Sequence, residues 1–108
     1  GEGLLTPVEL LLAAIAGCSS VDVDAGTSRR ATPEVFEVLA SALKQNEDGA
    51  VRLDDVEVDF DVRFPEDEQG AKAQKMVDRL IQLSEQKDCT VSRTVEHPTN
   101  VSFHNLAD

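Results

Sequence analysis

Thr6-Pro7-Val8-Glu9, followed by Leu10 to Ala16 without one polar side chain, limits most strongly what this chain can fold into. Thr6 suits the N-cap, Pro7 suits the first helical position, and Glu9 stands where its side chain returns to the cap. A helix apolar all round lies inside a protein, not on it. The pattern predicts a helix over about 7–21, buried centrally and partly against another subunit. The 108 residues make one domain over 1–108, and a chain of that size buries only roughly 65% of its unfolded surface. Oligomerisation answers that shortage.

Charge and aromatic content exclude whole classes of function. Ten basic against 21 acidic residues leave a net charge of -11, where a phosphate backbone calls for a basic patch. Four Phe with no Trp or Tyr offer no stacking platform for bases. Nucleic acid is therefore excluded as a partner. No apolar run reaches the ~20 residues of a membrane span, and no secretory segment is visible, so no membrane partner and a cytoplasmic location are expected.

Further along, Asp24 to Thr32 reads as a loop. Pro33 to Gln45 matches both helical and strand spacing. Val56, Val58, Phe60, Val62 and Phe64 alternate with Glu57, Asp59, Asp61 and Arg63, the clearest strand in the chain. The turn residues Asn46-Glu47-Asp48-Gly49 before it make a hairpin of the two segments, which favours strand for Pro33 to Gln45. Ala73, Met76, Val77, Leu80, Ile81 and Leu83 give the apolar stripe of a helix from about 66 to 86. A short second helix follows, capped by Asp88 and stopped by Pro98, and Thr99 to Phe103 closes as a strand. The class is α+β.

The two cysteines are the chemistry-bearing residues. Cys18 faces the same way as Leu11 and Ile15, so it reads equally as a small buried hydrophobe or as a reactive thiol. Cys89 is placed at a helix N-terminus, where backbone N–H groups favour thiolate over thiol. Arg93, four residues on, shares its face and adds positive charge. Two cysteines are too few for a disulfide scaffold. Cys18, Cys89, His97 and His104 match no short zinc spacing, and both histidines read as surface residues, so no metal is expected.

Thr6-Pro7-Val8-Glu9-Leu10-Leu11-Leu12-Ala13-Ala14-Ile15-Ala16-Gly17-Cys18 resembles the central-helix motif of the OsmC/Ohr family, the osmotically induced and organic hydroperoxide resistance proteins. Cys89-Thr90-Val91-Ser92-Arg93 resembles its second motif, Cys-Pro-Val-Ser followed by a basic residue. The resemblance covers essentially the whole chain. It implies an OsmC-like fold, with an antiparallel sheet packed on a long buried central helix, in an intertwined homodimer. It also implies a thiol peroxidase, an antioxidant oxidoreductase that reduces small organic hydroperoxides without metal or organic cofactor. Cys18 would become a sulfenic acid and Cys89 would condense with it to a disulfide, which a dithiol reductant then reopens.

The family's peroxidases carry Glu directly after the helix-start Pro, and an Arg from an N-terminal β segment. Here the first position is Val8, with Glu9 and Arg93 as candidate supporting residues and Arg29 and Arg30 as further basic ones. The opening Gly1-Glu2-Gly3, without Met, leads us to expect that the N-terminal β segment is missing. The alternative reading is a thiol-containing binding protein on the same fold, without peroxidase activity.

Overall fold

The computed structural model describes residues 4–107, so Gly1 to Gly3 and Asp108 lie outside the described residues. The chain is α+β, in the order α1 (Pro7–Thr27), β1 (Val35–Glu47), β2 (Ala50–Arg63), α2 (Glu68–Leu83), a π turn (Ser84–Asp88) and α3 (Thr90–Glu96). α1 begins as its sequence dictates. The Thr6 hydroxyl accepts from the Glu9 N–H at 3.2 Å, and the Glu9 carboxylate accepts from the Thr6 N–H at 3.0 Å. That reciprocal pair satisfies two donors that a helix start leaves without partners.

α1 runs past the expected end at Val21 to Thr27, so the expected loop over 24–32 begins only after it. Asp24-Ala25-Gly26 contains no proline to stop the helix, and packing rewards its extension. Thr27 is fully buried and donates its hydroxyl to the Val23 carbonyl at 3.0 Å. A methyl group added at Gly26 would run into the Leu80 side chain, so the glycine lets α2 pack against the backbone of α1.

β1 and β2 form a two-stranded antiparallel sheet. The turn uses Asp48 at φ 54° and Gly49 at φ 91°, the left-handed pair that matches hairpin twist, and Asn46 Oδ1 accepts from the Gly49 N–H at 2.8 Å. The register shifts between Ser41 and Leu43, opposite Asp55, which bulges at φ 48°. Beyond the bulge, Phe36 and Phe60 turn inward and join Val62, Phe64, Ala73 and Val77, the core that seats α2 on the sheet. Burying each of the larger of these side chains is worth roughly 1.5–3 kcal/mol. Gln74 ties the same joint, accepting from the Phe64 N–H at 3.0 Å and donating to the Val62 carbonyl at 2.9 Å.

Three further expectations are corrected. The expected helix over 66–86 is regular only from Glu68 to Leu83 and then widens into the π turn. The cap of α3 is Cys89 rather than Asp88, because the π turn carries the chain one residue further before a new helix starts. Thr99 to Phe103 forms no strand; Val101 and Phe103 stand 69% and 92% exposed.

Within one chain, α1 is covered on a single stripe, Ile15, Ser19, Val23 and Thr27, while Val8, Leu10 and Leu11 remain exposed. The radius of gyration is 17.4 Å, against about 13 Å for a compact chain of this length. The accessible surface is 8323 Å², against roughly 5,900 Å² for a compact monomer of this mass. No helix among the described residues is long and apolar enough to cross a membrane.

Candidate active site

Cys18 and Asp22 are four residues apart on α1 and therefore share one face, with Ser19 beside them. That face looks at the end of the π turn and the start of α3. The turn delivers two groups to it. Ser84 donates its hydroxyl to Asp22 Oδ2 at 2.7 Å, and the Cys89 N–H donates to the Ser84 carbonyl at 2.9 Å. The Cys18 sulfur, the Cys89 sulfur and an Asp22 carboxylate oxygen consequently lie within 4.8 Å of one another, although the two cysteines are roughly 70 residues apart in sequence. No disulfide joins them.

The two sulfurs differ in what surrounds them. Cys89 is fully buried and serves as the N-cap of α3, its sulfur accepting from the Ser92 N–H at 3.4 Å. Ser92 Oγ lies 3.2 Å from the same sulfur, and the Ser19 hydroxyl donates to it at 3.7 Å. Burial pushes the Cys89 thiol up, but the Ser92 hydroxyl and backbone N–H, Cys18 and Ser19 together outweigh it and hold Cys89 below the ordinary thiol range. Cys18 is half-buried. The Val91 N–H pulls its pKa down, yet the hydrogen bond to Cys89, burial and the neighbouring charges of Cys89 and Asp22 prevail, leaving Cys18 above the ordinary range. Cys89 is therefore the more acidic thiol of the pair.

A cavity of about 190 Å³ reaches the serines around Cys89, although neither cysteine lines it. Ile15, Val58, Phe60, Ile81 and Val95 supply its apolar walls, and Ser19, Ser84 and Ser92, the residues that hold Cys89 and Asp22, line it too.

Other candidates from the sequence lie elsewhere. Glu9 is engaged in the cap of α1, where the Thr6 backbone and side-chain hydrogen bonds lower its pKa. It stands two and a half helical turns before Cys18. Arg93 is exposed; its backbone N–H donates to the Cys89 carbonyl at 3.0 Å and its carbonyl accepts from the His97 N–H at 3.2 Å. Arg29 and Arg30 are exposed in the turn beyond α1, more than two helical turns past Cys18. His97 and His104 are exposed and outside the three-donor group. The residues that sequence reasoning passed over are Asp22 and Ser84. The four-residue spacing of Cys18 and Asp22 was a readable signal, whereas the Ser84 contact, 62 positions away, was not.

Fold and thiol pair together define a class, which comparison with known proteins makes specific. The family model for the OsmC-like protein matches residues 1–104, and the chain belongs to that family. It is similar to the crystal structure of a hypothetical protein from Aquifex aeolicus VF5, with a TM-score of 0.70 and 27% identity over 93% of this chain and 71% of that one. A second solved structure, described only as structural genomics, gives a TM-score of 0.70 at 24% identity over 94% of this chain and 72% of that one, and speaks to the fold alone. No curated protein matches the chain significantly.

If the Ser92 hydroxyl stabilises the Cys89 thiolate, Ser92→Ala should move the midpoint of thiolate formation to higher pH. Thiolate absorbance followed across a pH titration of the reduced protein checks this, and an unchanged midpoint would remove Ser92 from the site.

Proposed function

We propose that the protein is a cysteine-based peroxidase that reduces small organic hydroperoxides, acting as a homodimer in the reducing cytoplasm. One observation carries this reading: two cysteine sulfurs from distant segments meet at a helix N-terminus in a chain of the OsmC-like family, and the serines that hold Cys89 open onto a largely apolar cavity.

Cys18, the less buried of the two, is the attacking sulfur. Its proton passes to the adjacent Cys89 thiolate, so that Cys89 does the work of a base. The Cys18 sulfur then attacks the terminal oxygen of the hydroperoxide, the O–O bond breaks, and the alkoxide leaves as alcohol with the proton returned by Cys89. Cys18 is now a sulfenic acid. Cys89, again a thiolate held by Ser92 and Ser19, attacks the Cys18 sulfur, an S–S bond forms, and hydroxide leaves as water after taking a proton from solvent. Overall, one hydroperoxide and two thiols give one alcohol, one water and one disulfide. A dithiol restores both thiols and is itself oxidised. The cavity suits the alkyl part of the hydroperoxide, while Glu85 and Glu96 on its wall disfavour anionic substrates.

Consumption of t-butyl hydroperoxide with a dithiol reductant should be abolished by Cys18→Ser. Cys89→Ser should allow a single turnover and leave a Cys18 sulfenic acid that dimedone traps. The converse labelling, on Cys89 in the Cys18→Ser protein, would reverse the roles. No peroxide consumption by the unmodified protein would leave the thiol-containing binding protein as the better reading.

The dimer reading rests on the surface excess of roughly 2,400 Å² and on the exposed Leu10 and Leu11 of α1, a size and composition typical of a stable subunit interface. Light scattering at micromolar concentration should give the mass of two chains, and Leu11→Asp should shift it toward one. A monomer in the unmodified protein would contradict this.

A further inference from the structure

Three groups that carry negative charge on deprotonation converge in this site without a cation among them. Cys18 Sγ, Cys89 Sγ and an Asp22 oxygen lie within 4.8 Å of one another, while the ion pairs among the described residues engage Arg52, Arg63 and Lys72 and leave Asp22 aside. We infer that the reduced protein binds a thiophilic divalent cation, best met by zinc, through Cys18, Cys89 and Asp22. This goes beyond the peroxidase reading and does not depend on it.

The geometry fits a tetrahedral shell. With Zn–S near 2.3 Å and Zn–O near 2.0–2.2 Å, tetrahedral donors stand about 3.5–3.8 Å apart, so side chains already within 4.8 Å close on the ion by small rotations. Two thiolates select zinc over magnesium or calcium, which take oxygen ligands. The outer contacts of a metal site are in place as well. Ser84 donates to Asp22 Oδ2 at 2.7 Å and fixes the carboxylate, and Ser19 and Ser92 hold the Cys89 sulfur. Three protein ligands leave a fourth position for water. Binding releases to solvent the protons that the two sulfurs still carry, and two thiolates, one carboxylate and Zn²⁺ leave a net charge of minus one at the site.

The cation and the hydroperoxide would then compete for the same sulfurs. Zinc holds both cysteines in the reduced form and shields Cys18, whereas a Cys18–Cys89 disulfide removes two of the three ligands and expels the ion. The site would bind zinc only when reduced.

The test needs no peroxide. Titrating the reduced full chain with Zn²⁺ against a chromogenic chelator should show one ion per chain. Co²⁺ in its place should give a thiolate-to-cobalt charge-transfer band. Asp22→Asn, a near-isosteric change, should weaken zinc at least ~10-fold, Cys18→Ser and Cys89→Ser should abolish the band, and His97→Ala with His104→Ala should change nothing. Absence of stoichiometric uptake by the unmodified protein would overturn the proposal. So would uptake that persists undiminished in the Cys18→Ser and Asp22→Asn proteins, since the ion would then sit on surface carboxylates. The cobalt spectrum of the unmodified protein reports sulfur ligation even if a variant folds poorly, and an inactive peroxidase that binds zinc would separate the two readings.

Discussion

The site depends on the docking of one face of α1 against the N-terminus of α3, with the Cys89 sulfur as the joint. That sulfur is at once the cap of a helix, the acceptor of hydrogen bonds from Ser92 and Ser19, and the neighbour of Cys18. A buried sulfur that caps a helix is stabilised in its charged form, because the N–H groups at a helix start have no other partner. The cap therefore sets the electrostatics of the pair as well as its position. Moving α3 by one residue would take the thiolate away from its donors and the second sulfur out of reach of the first.

Cys89, burial and the Asp22 carboxylate beside it all work against ionisation of the Cys18 thiol. In the proposed reaction Cys89 would take the Cys18 proton over the same contact through which the two later form a bond. The pair also remains open to electrophiles other than a peroxide, a metal ion among them.

Much of the fold was legible in local chemistry. The capping box at Thr6 and Glu9, the alternation from Val56 to Phe64 and the Asp48-Gly49 turn each act within a few residues, and each stands as read. The ambiguous segment before the turn resolved as a strand because the hairpin needed a partner. What escaped the sequence depends on distant contacts. Thr27 extends α1 because it is buried under the rest of the chain, and the π turn over Ser84–Asp88 exists because Ser84 reaches Asp22 and Cys89 reaches Ser19. At the site, both cysteines were legible from their motifs, and the role of Ser92 was implicit in the second one. Glu9 was drawn from its nearness to the family's acid position and Arg93 from its spacing and the second motif; the first is held in its cap and the second in backbone bonds.

The central claim is that peroxide joins the two sulfurs of one chain. Peptide mapping of the reduced protein after one equivalent of an organic hydroperoxide tests it most directly. The account predicts a single new species, lighter by two hydrogens, in which the peptides containing Cys18 and Cys89 of the same chain are linked. Two thiols left free, or a bond formed only between separate chains, would contradict it.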